Sequence, residues 1–130
     1  MTAKKKNKVL LIEPDSFLAK IYVQAIEREG IVVEIANKAQ EAISIIDKIK
    51  PNLIVLELQL PSNNGIEFLY ELRSYSDLQD IKVIVLSFIS SLELALTPKQ
   101  AQILNIYKHL YKPKTSVSEL VEAVNEVFGR

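Results

Sequence analysis

Four polar side chains in this 130-residue chain stand at the ends of apolar runs: Glu13, Glu57, Ser87 and Lys112. Glu13 follows VLLI, Ser87 follows VIVL, and Lys112 follows HLY. Glu57 lies inside the run LIVLELQLP, residues 53–61. A carboxylate in such a run is costly to bury unless a cation or hydrogen-bond donors meet it. Lys112 is the obvious cation and Ser87 the obvious neutral donor. The chemistry on offer is therefore a pocket of two carboxylates, one hydroxyl and one ammonium, provided the fold brings them together.

The elements that must do so follow from hydrophobic periodicity. Residues 9–12, 31–35, 53–58 and 81–87 are β-rich apolar runs, and residues 109–111 form a short fifth one ended by Pro113. Between them lie segments of helical period. Asp15 caps the first, with Gly30 at its end. Asn37 is expected to cap the second, with Gln40 completing a capping box and Ala42, Ile45, Ile46 and Ile49 facing inward. Ile66, Phe68, Leu69 and Leu72 mark the third helix. Thr97 and Pro98 open the fourth, which buries Ala101, Ile103 and Leu104. Ser116 and Glu119 box the last, which buries Leu120, Val121, Val124, Val127 and Phe128. The order βαβαβαβαβα with continuously apolar strands predicts one α/β domain, a doubly wound five-stranded parallel sheet covered on both faces. Such sheets place their sites at the carboxyl ends of the strands, where the four polar residues stand.

Composition narrows the function. Sixteen basic and sixteen acidic residues cancel, which argues against nucleic acid as a partner. The local excess at Lys4, Lys5, Lys6 and Lys8 reads as a solvated basic arm over residues 1–8, ahead of a domain over residues 9–130. Cysteine is absent, so disulfides and thiolate chemistry are excluded. No apolar run is long enough to span a bilayer, and the reading is a cytoplasmic protein. The single histidine, His109, excludes a histidine metal cluster. The three glycines, Gly30, Gly65 and Gly129, build no phosphate-cradling loop, which weighs against a nucleotide- or flavin-binding enzyme.

Four separated pieces, VLLIEPD, NLIVLELQLPSNNGIEFL, KVIVLS and LYKP, together resemble the receiver domain of two-component response regulators. The resemblance covers essentially the whole chain and implies a CheY-like, flavodoxin-like (βα)5 fold and a signalling module, not an enzyme. In that family an acidic pair and an Asp bind magnesium, the Asp accepts a phosphoryl group from a histidine kinase, and a hydroxyl and a lysine hold its oxygens. Carried over residue by residue, Glu13 matches the first acid and Pro14 falls where the second belongs. Asp15 is acidic but serves better as a cap. Glu57 stands at the phospho-acceptor position, Ser87 at the hydroxyl and Lys112 at the lysine. His109 takes the place of the switch aromatic, and Phe88 that of a small residue.

Two of these departures weaken the ordinary reaction. Glu sets its oxygens roughly 1.3–1.5 Å further out than Asp, where a misplacement of about 1 Å can cost ~100-fold. Proline at position 14 removes an oxygen ligand from a magnesium site left with Glu13 and Glu57. The expectation is an atypical receiver in which Glu57 pairs with Lys112 and reaches toward Ser87, in partial imitation of a phosphoryl group. A conventional, magnesium-dependent phospho-accepting receiver is the alternative. The stretch after Ser87 is long and apolar, with Phe88, Ile89, Leu92, Leu94 and Leu96. It reads either as a helical turn packed on the sheet or as an exposed patch. With Tyr107 and Tyr111 it marks a surface of the fourth helix, fifth strand and fifth helix, where receivers meet protein partners or dimerise. No output domain follows the last helix, so the chain reads as a stand-alone receiver or a fragment of a longer regulator.

Overall fold

Alternation along the strands builds the two layers of the core. In the computed structural model, which describes residues 7–130, strands β1 (Lys8–Ile12), β3 (Leu53–Leu56) and β6 (Lys82–Ser87) form the centre of a parallel sheet. Leu10, Ile12, Ile54, Leu56, Val83 and Val85 point to one face, and Val9, Leu11, Leu53, Val55, Ile84 and Leu86 to the other. Both sets are buried, as a parallel sheet covered on two sides requires. β2 (Val32–Ala36) and β7 (Ile106–Tyr111) complete the order β2-β1-β3-β6-β7. The expected five-stranded, doubly wound α/β sheet is the fold of the chain.

Helices α1 (Ser16–Glu27) and α6 (Val117–Val127) pack on one face through Ala19, Tyr22, Ile26, Leu120, Ala123 and Val124. On the other lie α2 (Ala39–Ile49), α3 (Gly65–Arg73) and α5 (Pro98–Ile103). The caps at Asp15, Thr97 and Ser116 form as expected, the last two as capping boxes with Gln100 and Glu119. Each satisfies helix-end N–H groups that the helix itself leaves unpaired.

Some expectations need correction. Asn37 does not cap α2; Lys38 holds the N-cap position with no side-chain bond, so the Gln40 box is absent. Ile103 is exposed, and Leu104 alone anchors the end of α5 in the core. β7 runs over six residues, not three, because an edge strand needs no continuous apolar run. Lys8 belongs to β1 instead of an arm: its N–H donates to Asn52 and its ammonium to the Ile49 carbonyl. Lys4, Lys5 and Lys6 lie outside the described residues. Between β3 and α3 the chain forms an unexpected hairpin, β4 (Gln59–Leu60) with β5 (Asn63–Asn64). Gly65 then passes so close to Leu58 that a Cβ there would lie 2.7 Å from the Leu58 Cα. The long segment after β6 contains a single helical turn, α4 (Ser91–Leu94), boxed by Ser90 and Glu93.

Candidate functional site

The order of strands reverses between β1 and β3, and the crevice outside their carboxyl ends is where open α/β sheets place their sites. Glu13 and Glu57 are the residues that leave those two strands. Sheet bonding continues through them: the Glu13 N–H donates to the Ala36 carbonyl and the Glu57 N–H to that of Ile12, each at 3.0 Å. Ser87 ends β6 and Lys112 opens a 3-10 turn, Lys112–Lys114, directly after β7. All four side chains are buried, with relative exposures of 3, 3, 0 and 8%.

The fold brings the four together. The Lys112 ammonium lies 2.6 Å from Glu13 Oε1 and 2.7 Å from Glu57 Oε1. The Ser87 hydroxyl donates to Glu57 Oε2 and accepts from the Ile89 N–H at 3.0 Å. Backbone donors take the remaining capacity. Asp15 N–H reaches Glu13 Oε2 at 3.0 Å, Gln59 N–H reaches Glu57 Oε2 at 3.1 Å, and Phe88 N–H reaches Glu57 Oε1 at 3.3 Å. The Phe88 ring lies over the ammonium, its centroid 4.6 Å from Nζ. Lys112 is thus held by two carboxylates and an aromatic face.

Electrostatics follow from this geometry. Burial is the largest influence on Glu57 and pushes its carboxyl up. Hydrogen bonds from Lys112, Ser87 and the Gln59 N–H, with the Lys112 charge, outweigh it and hold the group below its ordinary value. Burial likewise pushes Lys112 down, and its bonds to Glu13 and Glu57 more than restore it, leaving it raised. Both groups therefore stay charged at neutral pH. Tyr22 on α1 is raised, first by burial and also by the nearby carboxylates; nothing in the spacing of α1 pointed to its place beside the cluster.

Most other expected side chains separate from this pocket, Phe88 excepted. Asp15 does not line it: its carboxylate is exposed and caps α1, accepting from the N–H groups of Phe17 and Leu18 at 2.9 and 3.0 Å. His109 is half-buried on β7, its Nε2 2.7 Å from the Ile89 carbonyl oxygen. Leu92 is 88% exposed on α4, and Phe88 and Tyr107 are about half exposed. Ile89, Leu94 and Leu96 instead pack partly against the core, and Tyr111 is half-buried. The two readings of the apolar stretch are therefore both present, divided between the two sides of one short turn. The signal for that turn, Ser90 three residues before Glu93, stands in the sequence as a capping box.

A family model for the response regulator receiver domain matches residues 9–125. The chain belongs to this family. It is 38% identical over 66 residues to the transcriptional regulatory protein TrcR of Mycobacterium tuberculosis, a match covering 51% of this chain and 26% of that protein. The receiver domain of the Francisella response regulator 1452 superposes with a TM-score of 0.81 at 28% identity, covering 96% of this chain and 98% of that one. The CheY-like receiver of Methanospirillum hungatei gives 0.80 at 24% identity, covering 94% and 93%, and supports the fold. The chain spans only part of the length of such curated relatives, 26% of TrcR and 54% of the probable transcriptional regulator ycf29 of Pyropia yezoensis. Receivers belong to two-component signalling and work with histidine kinases and other proteins. No helix among the described residues is long and apolar enough to cross a membrane.

Magnesium, which the family implies, does not fit this receiver's donor set. Pro14 offers no ligand. Every oxygen of Glu13 and Glu57 already accepts a protein hydrogen bond. Among the described residues no group of three or more His, Cys, Asp or Glu is arranged to hold a metal ion. A small divalent cation needs near-octahedral oxygen and room for several waters, and here the ammonium and the Phe88 ring take that room.

Proposed function

We propose that this receiver is an atypical signalling module that does not cycle through phosphorylation and acts by binding protein partners. One observation carries the reading: the hydroxyl and the ammonium that would hold an incoming phosphoryl group are both already bound to Glu57. The carboxylate brings its own negative charge to that place, less than a phosphoryl group would carry, so the pocket rests in one arrangement. Such a module is not an enzyme. Its work is done in the cytoplasm, with a histidine kinase, a downstream protein or a second copy as partner.

The surface that would meet the partner is formed by α5, β7 and α6 with the adjoining α4 turn. Phe88, Leu92, Ile103 and Tyr107 are exposed there, and scattered polar groups such as Lys108 and Glu126, paired at 3.3 Å, rim it. Aromatic and aliphatic anchors within a polar rim suit a protein interface. The test is an amide NMR spectrum of the chain alone, with magnesium, and with magnesium plus beryllofluoride. No shift is expected at Glu13, Glu57, Ser87 or Lys112. A saturable shift at those amides would establish the conventional phospho-accepting receiver in its place.

A further inference from the structure

The ammonium of Lys112 has three N–H bonds to place. Two point at carboxylate oxygens, Glu13 Oε1 and Glu57 Oε1. The third direction is served by the face of Phe88, whose quadrupole attracts a cation and offers no lone pair to a metal. Four neutral donors, the N–H groups of Asp15, Gln59 and Phe88 and the Ser87 hydroxyl, spread the remaining negative charge of the two carboxylates. Three-fold coordination by two oxygens and an aromatic face matches a primary ammonium. It does not match a hard divalent ion, which would find two carboxylates, no third, and an apolar wall where its waters belong. A divalent ion entering here would also have to evict a tethered cation whose side chain is only 5% exposed.

We propose that the pocket formed by Glu13, Glu57 and Phe88 is a site for a primary ammonium group, filled in cis by Lys112, and that its donor set favours an ammonium over a divalent cation. The inference deepens the reading given above for the same pocket and rests on it only for its consequence, a receiver indifferent to magnesium. Removal of the aminopropyl end of the side chain, in Lys112→Ala, leaves a vacancy with the shape and charge preference of n-propylammonium.

The experiment is thermal unfolding of Lys112→Ala titrated with n-propylammonium chloride, with sodium chloride, tetramethylammonium chloride and magnesium chloride at matched ionic strength. Propylammonium is expected to raise Tm saturably, as a ligand of the folded state does, while the other salts act alike and weakly. A variant that folds only when propylammonium is present supports the proposal equally. Magnesium matching or exceeding propylammonium overturns it, as does propylammonium acting no better than sodium. Should the variant stay unfolded throughout, the wild-type chain decides: manganese should leave the Asp15, Gln59 and Phe88 amide signals unbroadened, and selective broadening of those signals overturns the proposal. Failed rescue with a pocket still silent to beryllofluoride removes the ammonium assignment alone; a response to beryllofluoride removes the atypical reading instead.

Discussion

Replacing Glu57 by Gln removes one charge and changes almost no volume, and its cost can be worked from the pocket. Glu57 accepts from the Lys112 ammonium at 2.7 Å, the Gln59 N–H at 3.1 Å, the Phe88 N–H at 3.3 Å and the Ser87 hydroxyl. Glutamine has one accepting oxygen. That oxygen must stay toward Lys112, because an amide NH2 cannot face an ammonium, so the NH2 turns toward the Gln59 N–H and Ser87. The Ser87 hydroxyl can rotate; the Gln59 N–H cannot. The unpaired Gln59 donor is only partly buried and costs about 1–2 kcal/mol, and a neutral acceptor for Lys112 forfeits about 1 kcal/mol more. Relief of carboxylate burial returns part of this. The depressed carboxyl of Glu57 points the same way, its pairing outweighing burial in the folded state. The net loss at neutral pH is about 2 kcal/mol, or roughly 7 °C in Tm for a domain of this size. A group depressed on folding contributes stability that is full above its unfolded value and is lost as pH falls through its folded value. The gap between wild type and Glu57→Gln should therefore be widest near neutral pH and close on acidification below the ordinary carboxylate value of 4.5. Urea unfolding of both proteins across that range measures it. A variant as stable as wild type at neutral pH, or a gap that persists in strong acid, would refute the pairing argument.

Four further outcomes follow. Arg73 donates to the carbonyls of Leu78, Gln79, Ile81 and Leu104, at 2.6 to 3.2 Å; Arg73→Ala should cost about 3 kcal/mol in urea unfolding and Arg73→Lys nearly as much, since a lysine cannot span that fan of acceptors. Gly65→Ala should destabilise by about 1–3 kcal/mol, because the new Cβ meets Leu58 backbone; a neutral result would mean that the β5–α3 junction yields. Lys112 is raised on folding, so its contribution is full below its ordinary value of 10.5 and is lost as pH climbs through the folded value; alkaline unfolding of Lys112→Met should lack the part of the pH dependence that wild type shows there. Leu92→Ser should change stability by less than about 0.5 kcal/mol, as exposed substitutions do, yet weaken partner binding in a pull-down or titration; unchanged binding would remove α4 from the interface.

What the sequence by itself determined is whatever local rules decide. Capping at Asp15, Thr97 and Ser116 depends on side chains two or three residues from the N–H groups they satisfy, so it is written in a few adjacent letters. Strand identity for β1, β3 and β6 depends on burial of both faces and appears as unbroken apolar runs. The alternation of such strands with helical segments already implied the parallel sheet, and with it a meeting of Glu13, Glu57, Ser87 and Lys112 at one edge. The tertiary structure alone decided the terms of that meeting. Glu13 and Lys112 stand 99 residues apart and Glu57 and Lys112 are separated by 55, and no local pattern reports which oxygen faces which nitrogen. Burial of Glu13, the turn of Asp15 away from the pocket, the Phe88 ring over the ammonium and the Arg73 fan all depend on how separate elements pack. β7 escaped a full reading because an edge strand is buried on fewer sides and carries lysine and histidine among its apolar residues. Local chemistry sets elements and their ends; only packing in three dimensions sets which charges pair, and here that pairing separates a filled pocket from an open one.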